Sequence, residues 1–180
     1  MSRPPLARER LLDAVEQELL EHGLNGVTLE RVAERAGVSK GGLLYHFPSK
    51  ASLFDGLFDR LADLVTGAVA AAPRDPEGAV RWYIDTSIRP SDQETSLYRA
   101  LTALIRSSDD LGNDRLRRCF DDYAAPVGAA VADPVLVEQI RLVGDGLFLT
   151  RVLGVGRTDA DVLERIVDEL AARAAAVPAP

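Results

Sequence analysis

A single residue, Val38, separates the glycine that closes one short helical pattern from the serine that opens the next. Upstream, Thr28 is suited to cap a helix whose apolar stripe is Leu29, Val32, Ala33 and Ala36, and Gly37 ends it. Downstream, Ser39 caps a second short helix that Pro48 stops. So tight a connection leaves few ways to arrange the two helices, and the spacing is that of a helix-turn-helix.

The second of these helices carries Gly41 and Gly42 side by side. Each glycine inside a helix costs roughly 0.8–1.0 kcal/mol relative to alanine. Small side chains at the start of such a helix let its backbone approach the bases and phosphates of a major groove, which is a use for the pair. A competing use, for one of the two, is to avoid a clash within the protein. From Arg35 to Phe54 there is no Asp or Glu, while Arg35, Lys40, His46 and Lys50 fall in that window of a chain whose net charge is −7. The window reads as a local positive island.

The chain is all-α: helical spacing recurs throughout and alternating β-branched runs are lacking. A first helix over 7–22 presents Leu11, Ala14, Val15 and Leu19, with a stop at His22-Gly23-Leu24. After Pro48, Ser49 caps a fourth helix bearing Leu53, Phe54, Leu57, Phe58, Leu61 and Val65. Pro73, Asp75, Pro76 and Gly78 break the pattern and start another helix. With that helix the second part has about five, further starts lying at Ser91–Glu94, Asp133-Pro134 and Thr158–Asp161, for about nine in all. The expected domains are 1–50, the helix-turn-helix part, and 51–180, with the fourth helix from 49 connecting them.

Several function classes are disfavoured. With two histidines, one cysteine (Cys119) and no acid–histidine cluster, neither an enzyme nor a metal or cofactor site is expected. Asp109-Asp110 and Asp121-Asp122 read as helix-end and solvated charge. No apolar leader or membrane-spanning run is visible, so a cytoplasmic location without membrane association is expected.

The stretch "TLERVAERAGVSKGGLLYHFPSK" closely resembles the DNA-binding region of the TetR/AcrR family of transcriptional regulators, over roughly residues 7–55. The resemblance implies a three-helix DNA-binding domain joined by the fourth helix to a helical domain that binds a small-molecule effector and forms a homodimer. It implies a double-stranded DNA operator, palindromic to match the dimer, and repression relieved by the effector. Carried over by position, Thr28 touches phosphate, Ser39, Lys40, Gly41 and Gly42 face the groove, and Tyr45, His46 and Lys50 hold backbone phosphates. Leu44 stands where many members have tyrosine, and either meets a thymine methyl or packs inward.

In the second part, Trp82, Tyr83, Tyr98, Phe120, Tyr123 and Phe148 are candidate pocket residues, or ordinary core aromatics. Arg99, Arg106 and Asp145 are the polar candidates, although an i,i+4 pair with Arg141 is a simpler role for Asp145. The two last long helices, 135–153 and 159–175, look like the pair that forms the family's dimer interface. Ile140, Val143, Gly144, Leu147, Leu163, Ile166, Val167 and Leu170 are its candidate residues. The alternative to a DNA-binding regulator is a helical protein-interaction module without sequence-specific DNA binding.

Overall fold

A computed structural model describes residues 4–106, 112–156 and 158–176, with side chains from residue 7 and not at 105 and 106. Among the described residues there are nine α-helices and no strand: α1 Pro4–Gly26, α2 Leu29–Ala36, α3 Lys40–His46, α4 Lys50–Val69, α5 Pro76–Ile88, α6 Asp92–Arg106, α7 Asn113–Ala130, α8 Pro134–Leu153 and α9 Ala160–Ala176. None is long and apolar enough to cross a membrane.

Local chemistry sets most of the boundaries. Gly23 takes φ 64°, outside the helical range, and kinks α1 where the sequence has its stop. Thr28 accepts from the Arg31 N–H, Ser39 from Gly42 and Asp75 from Gly78, each satisfying an otherwise orphaned helix-start donor. Ser91 and Glu94 form a reciprocal capping box, the Glu94 N–H donating to Ser91 Oγ at 3.1 Å and the Ser91 N–H to Glu94 Oε2 at 2.8 Å. At α9 the expected start is displaced by one residue. Asp159, not Thr158, takes the N–H groups of Asp161 and Val162, because a carboxylate is a stronger acceptor for them than a hydroxyl.

Packing divides the chain into two compact units, Met1–Ala62 with Ser96–Leu116, and Asp63–Thr95 with Arg117–Pro180. In the first, Leu11, Leu12, Val15, Leu19, Val32, Leu43, Leu53, Leu57, Leu61, Leu97, Leu101 and Leu104 are fully buried or nearly so. Arg60, also buried, is neutralised by Glu9 and Asp13, each at 2.7 Å, with Glu16 at 3.5 Å accepting from Ser96 as well.

In the second unit, α5, α7, α8 and α9 close around Val80, Tyr83, Ile84, Val127, Leu136, Ile140, Leu170, Ala171 and Ala174. α5 and α8 approach closely because Gly144 has no side chain: a Cβ there would overlap Cε1 of Tyr83 and crowd Ser87 Oγ. Replacing Gly144 with alanine is therefore expected to destabilise the protein by about 1–3 kcal/mol, read as a lower urea midpoint at unchanged slope.

Candidate functional site

The turn between α2 and α3 is held from both ends. Gly37 adopts φ 63°, a left-handed cap that lets the N–H groups of Gly37 and Val38 reach the carbonyls of Glu34 and Ala33. Leu43 and Phe47 are buried beneath α3, so its opposite face is turned outward. On or beside that face are Ser39, Lys40, Gly41, Leu44 and Tyr45, all exposed, with Gly42 and His46 half-buried. Tyr45 is 84% exposed, and its ring meets that of His46 edge-on at 5.2 Å. Leu44 is 39% exposed on the same face.

The two glycines have different reasons. A Cβ on Gly42 would come within 3.3 Å of Ser39 Oγ, the oxygen that caps the helix, so this glycine protects its own cap. Gly41 has open space around it, and nothing in the protein asks for a glycine there.

The positive island is smaller in space than in sequence. Glu18, only 2% exposed, accepts from Arg31 at 2.8 Å and Arg35 at 2.7 Å, and Arg35 is paired with Glu21 at 2.5 Å besides. Hydrogen bonds to these carboxylates hold the Arg35 guanidinium firmly protonated. Lys50 donates to the Leu24 carbonyl at 2.8 Å and lies over the Phe54 ring, and burial pushes its pKa down. Arg35 and Lys50 are thus engaged in fastening α2 and α4 to α1. Lys40 is the charge that stays outside, in an exposed pair with Glu30 at 2.6 Å that holds the Glu30 carboxyl below its usual range. Arg10, missed in the sequence because it lies far from this window, is exposed, with its guanidinium beside Gly37.

In the second unit the candidate aromatics gather. Trp82 stacks on Tyr123 with ring centres 5.3 Å apart, Tyr83 lies 6.2 Å from Tyr123, and Phe120 meets Phe148 edge-on at 5.9 Å. Tyr83 donates its hydroxyl to Asp145 at 2.5 Å. That bond, not Arg141, is the close partner of Asp145: Arg141 lies 3.5 Å from Glu138 and 3.6 Å from Asp121. Burial raises the Asp145 pKa, and the Tyr83 bond and Arg141 only partly oppose it. Tyr98 and Arg99 belong to the first unit, where Tyr98 is buried and Arg99 exposed. The side chain of Arg106, and Asp109 and Asp110, lie outside the described residues.

Of the interface candidates, Ile140 and Leu170 belong to the core of the second unit and Gly144 is buried in α8, while Leu170 also lines a groove with Leu142, Val143 and Ile166. Val143, Leu147 and Ile166 are partly buried beside that core. Leu163 and Val167 line a cleft against α5. The exposed apolar stripe of α8 is Val135, Leu142, Leu149 and Leu153, with Val162 exposed on α9. The seven-residue spacing of Val135, Leu142 and Leu149 was readable, but the all-round apolar character of α8 concealed which side faces out.

The sequence profile described as "Bacterial regulatory proteins, tetR family" matches residues 11–57, and that described as "Tetracyclin repressor-like, C-terminal domain" matches residues 77–175. The nucleoid occlusion factor SlmA of Actinobacillus pleuropneumoniae is 32% identical over 105 residues, 56% of this chain and 52% of that one. The HTH-type transcriptional regulator RutR of Escherichia coli is 34% identical over 86 residues, 47% and 41% of the two chains. The chain thus spans about half the length of the curated relatives it matches. A member of the TetR family from Streptomyces coelicolor, SCO1917, superposes with a TM-score of 0.67 at 22% identity, covering 92% of this chain and 98% of that one.

Two consequences can be measured on the isolated protein. Gly41→Ala is expected to raise stability by about 1 kcal/mol, since alanine favours the helix and meets no neighbour. Asp145 has a folded pKa above its unfolded one, so the native state binds the proton more tightly and this residue favours folding increasingly as pH falls through that window. Asp145→Asn should remove that increment, so that the stability of the variant relative to wild type is lower at pH 4 than at pH 7, read from urea midpoints at the two pH values.

Proposed function

We propose, on the premise that the chain belongs to the tetR family of bacterial regulatory proteins, that it is a ligand-responsive transcriptional regulator binding a palindromic operator as a homodimer. The observation that carries this reading is Gly41, a glycine with open space around it on the exposed face of α3, beside Lys40 and Tyr45. A helix start without side-chain bulk fits close approach to bases in a major groove. Ser39, Lys40, Gly41 and Gly42 then face the groove with Leu44 against a thymine methyl, and Thr28, Tyr45 and His46 meet phosphates. Lys50, tied to Leu24, supports the position of α4.

The functional division proposed is a helix-turn-helix domain over 1–50 and an effector and dimerisation domain over 51–180, with α4 continuous between them. Dimerisation is supported by the stripe Val135, Leu142, Leu149 and Leu153, together with a neighbouring groove of about 350 Å³ that includes Val143, Ile166 and Arg173. An exposed apolar row of this length is suited to a two-fold contact with its own copy. Effector binding in the second unit favours a state in which the recognition helices are respaced, and it acts only through its preference for that state. The protein works by binding, as a cytoplasmic repressor rather than an enzyme.

The test is selection of duplexes from a randomised pool. The expected result is an enriched palindrome, bound with an affinity that falls steeply with salt. A folded dimer that enriches nothing would favour a protein-interaction module instead. Lys40→Ala should then relax sequence preference, by about 1–3 kcal/mol at one base pair if Lys40 contacts a base, whereas a uniform loss over all sequences means a phosphate contact. Gly41→Ala should bind the operator more weakly despite its greater stability.

A further inference from the structure

A cleft of about 760 Å³ opens between α5 and α9 in the second unit, within the size range of small-molecule sites. Its apolar wall includes Trp82, Ile84, Ile88, Leu163 and Val167. Trp82 is the one tryptophan of the chain and is braced from behind by its stack on Tyr123. It therefore presents a ring that cannot easily turn away.

The charges around the cleft are unequal. Arg81 is held by Glu77 at 3.0 Å and Asp168 at 2.9 Å, and Arg89 by Asp85 at 3.2 Å. Glu164 also lines the cleft and has no ion-pair partner among the described residues. Two arginines thus meet four carboxylates, and the surplus of negative charge disfavours an incoming anion. A positive charge on an apolar body is favoured here by the uncompensated carboxylate and by an indole in the wall of the cleft, the aromatic ring that attracts cations best.

We propose that this cleft binds a planar organic cation, its ring against Trp82 and its charge towards Glu164. That occupancy alters DNA binding rests on the regulator reading above, while the binding itself does not. Displacement of Trp82 would be felt first at Tyr123, and at Tyr83 and Asp145 beside it.

The fluorescence of Trp82 reports directly on the site. The full chain, without DNA, is titrated with N-methylquinolinium and, in parallel, with naphthalene-2-carboxylate, an anion of the same ring size, with calorimetry as a second readout. The expected result is saturable binding of the cation at one site per chain, with the anion about tenfold weaker or more. Glu164→Gln, at an exposed position, should retain the helical circular dichroism and weaken the cation by about threefold to tenfold. Trp82→Phe should weaken it by calorimetry. Quenching that rises linearly without saturation, equal binding of the anion, or a Glu164→Gln variant that binds as wild type would each overturn the proposal. Because no DNA is present, failure here leaves the operator selection standing, and failure of that selection leaves this site standing.

Discussion

The first unit depends on one buried carboxylate. Glu18 is almost wholly shielded from water and takes a hydrogen bond from each of Arg31 and Arg35, two residues one turn apart on α2. A charge in that position is tolerable only when neutralised in good geometry, so burying it locks α2 at a set rotation against α1. The left-handed Gly37 then determines where α3 leaves. Orientation of the outward face of α3 follows from a polar contact between α1 and α2.

The same contact decides the electrostatics of that face. Arginines that would have made a broad positive surface are paired with carboxylates of α1, and Lys50 is tied to the end of α1. What remains outward is Lys40 in a solvent-exposed pair and Arg10 beside Gly37, with hydroxyls, rings and open backbone. Exposed pairs of this kind contribute little to stability, so Glu30 can give up Lys40 to another anion at small cost. In an acidic chain, such a surface is better suited to discriminating among sequences by close fit than to general attraction to phosphate.

The second unit is organised around a close approach instead of a charge. Gly144 admits the Tyr83 ring, which places the phenol on Asp145 and lets Trp82, one residue earlier, stack on Tyr123. Three helices are thereby linked through four side chains, and the cleft against α9 shares Trp82 with them. The polar element of this core is the Tyr83–Asp145 bond, where desolvation of the carboxylate is offset in part by a short hydrogen bond.

How much of this was legible in the sequence follows the range of the interactions. Thr28, Ser39, Asp75, Ser91 and Asp133 cap helices by reaching N–H groups two or three residues away, and Gly23 and Gly37 meet a backbone demand of their own, so helix number, type and most boundaries were determined locally. The resemblance in the helix-turn-helix was likewise a matter of neighbours in sequence. Only the tertiary structure decided that Arg35 and Lys50 are tied to α1, that Asp145 answers Tyr83 and not Arg141, that Gly144 serves the chain's own core, and that Leu163 lines a cleft. Each of these depends on a group contributed from another helix, and no spacing along one helix encodes what another brings to it.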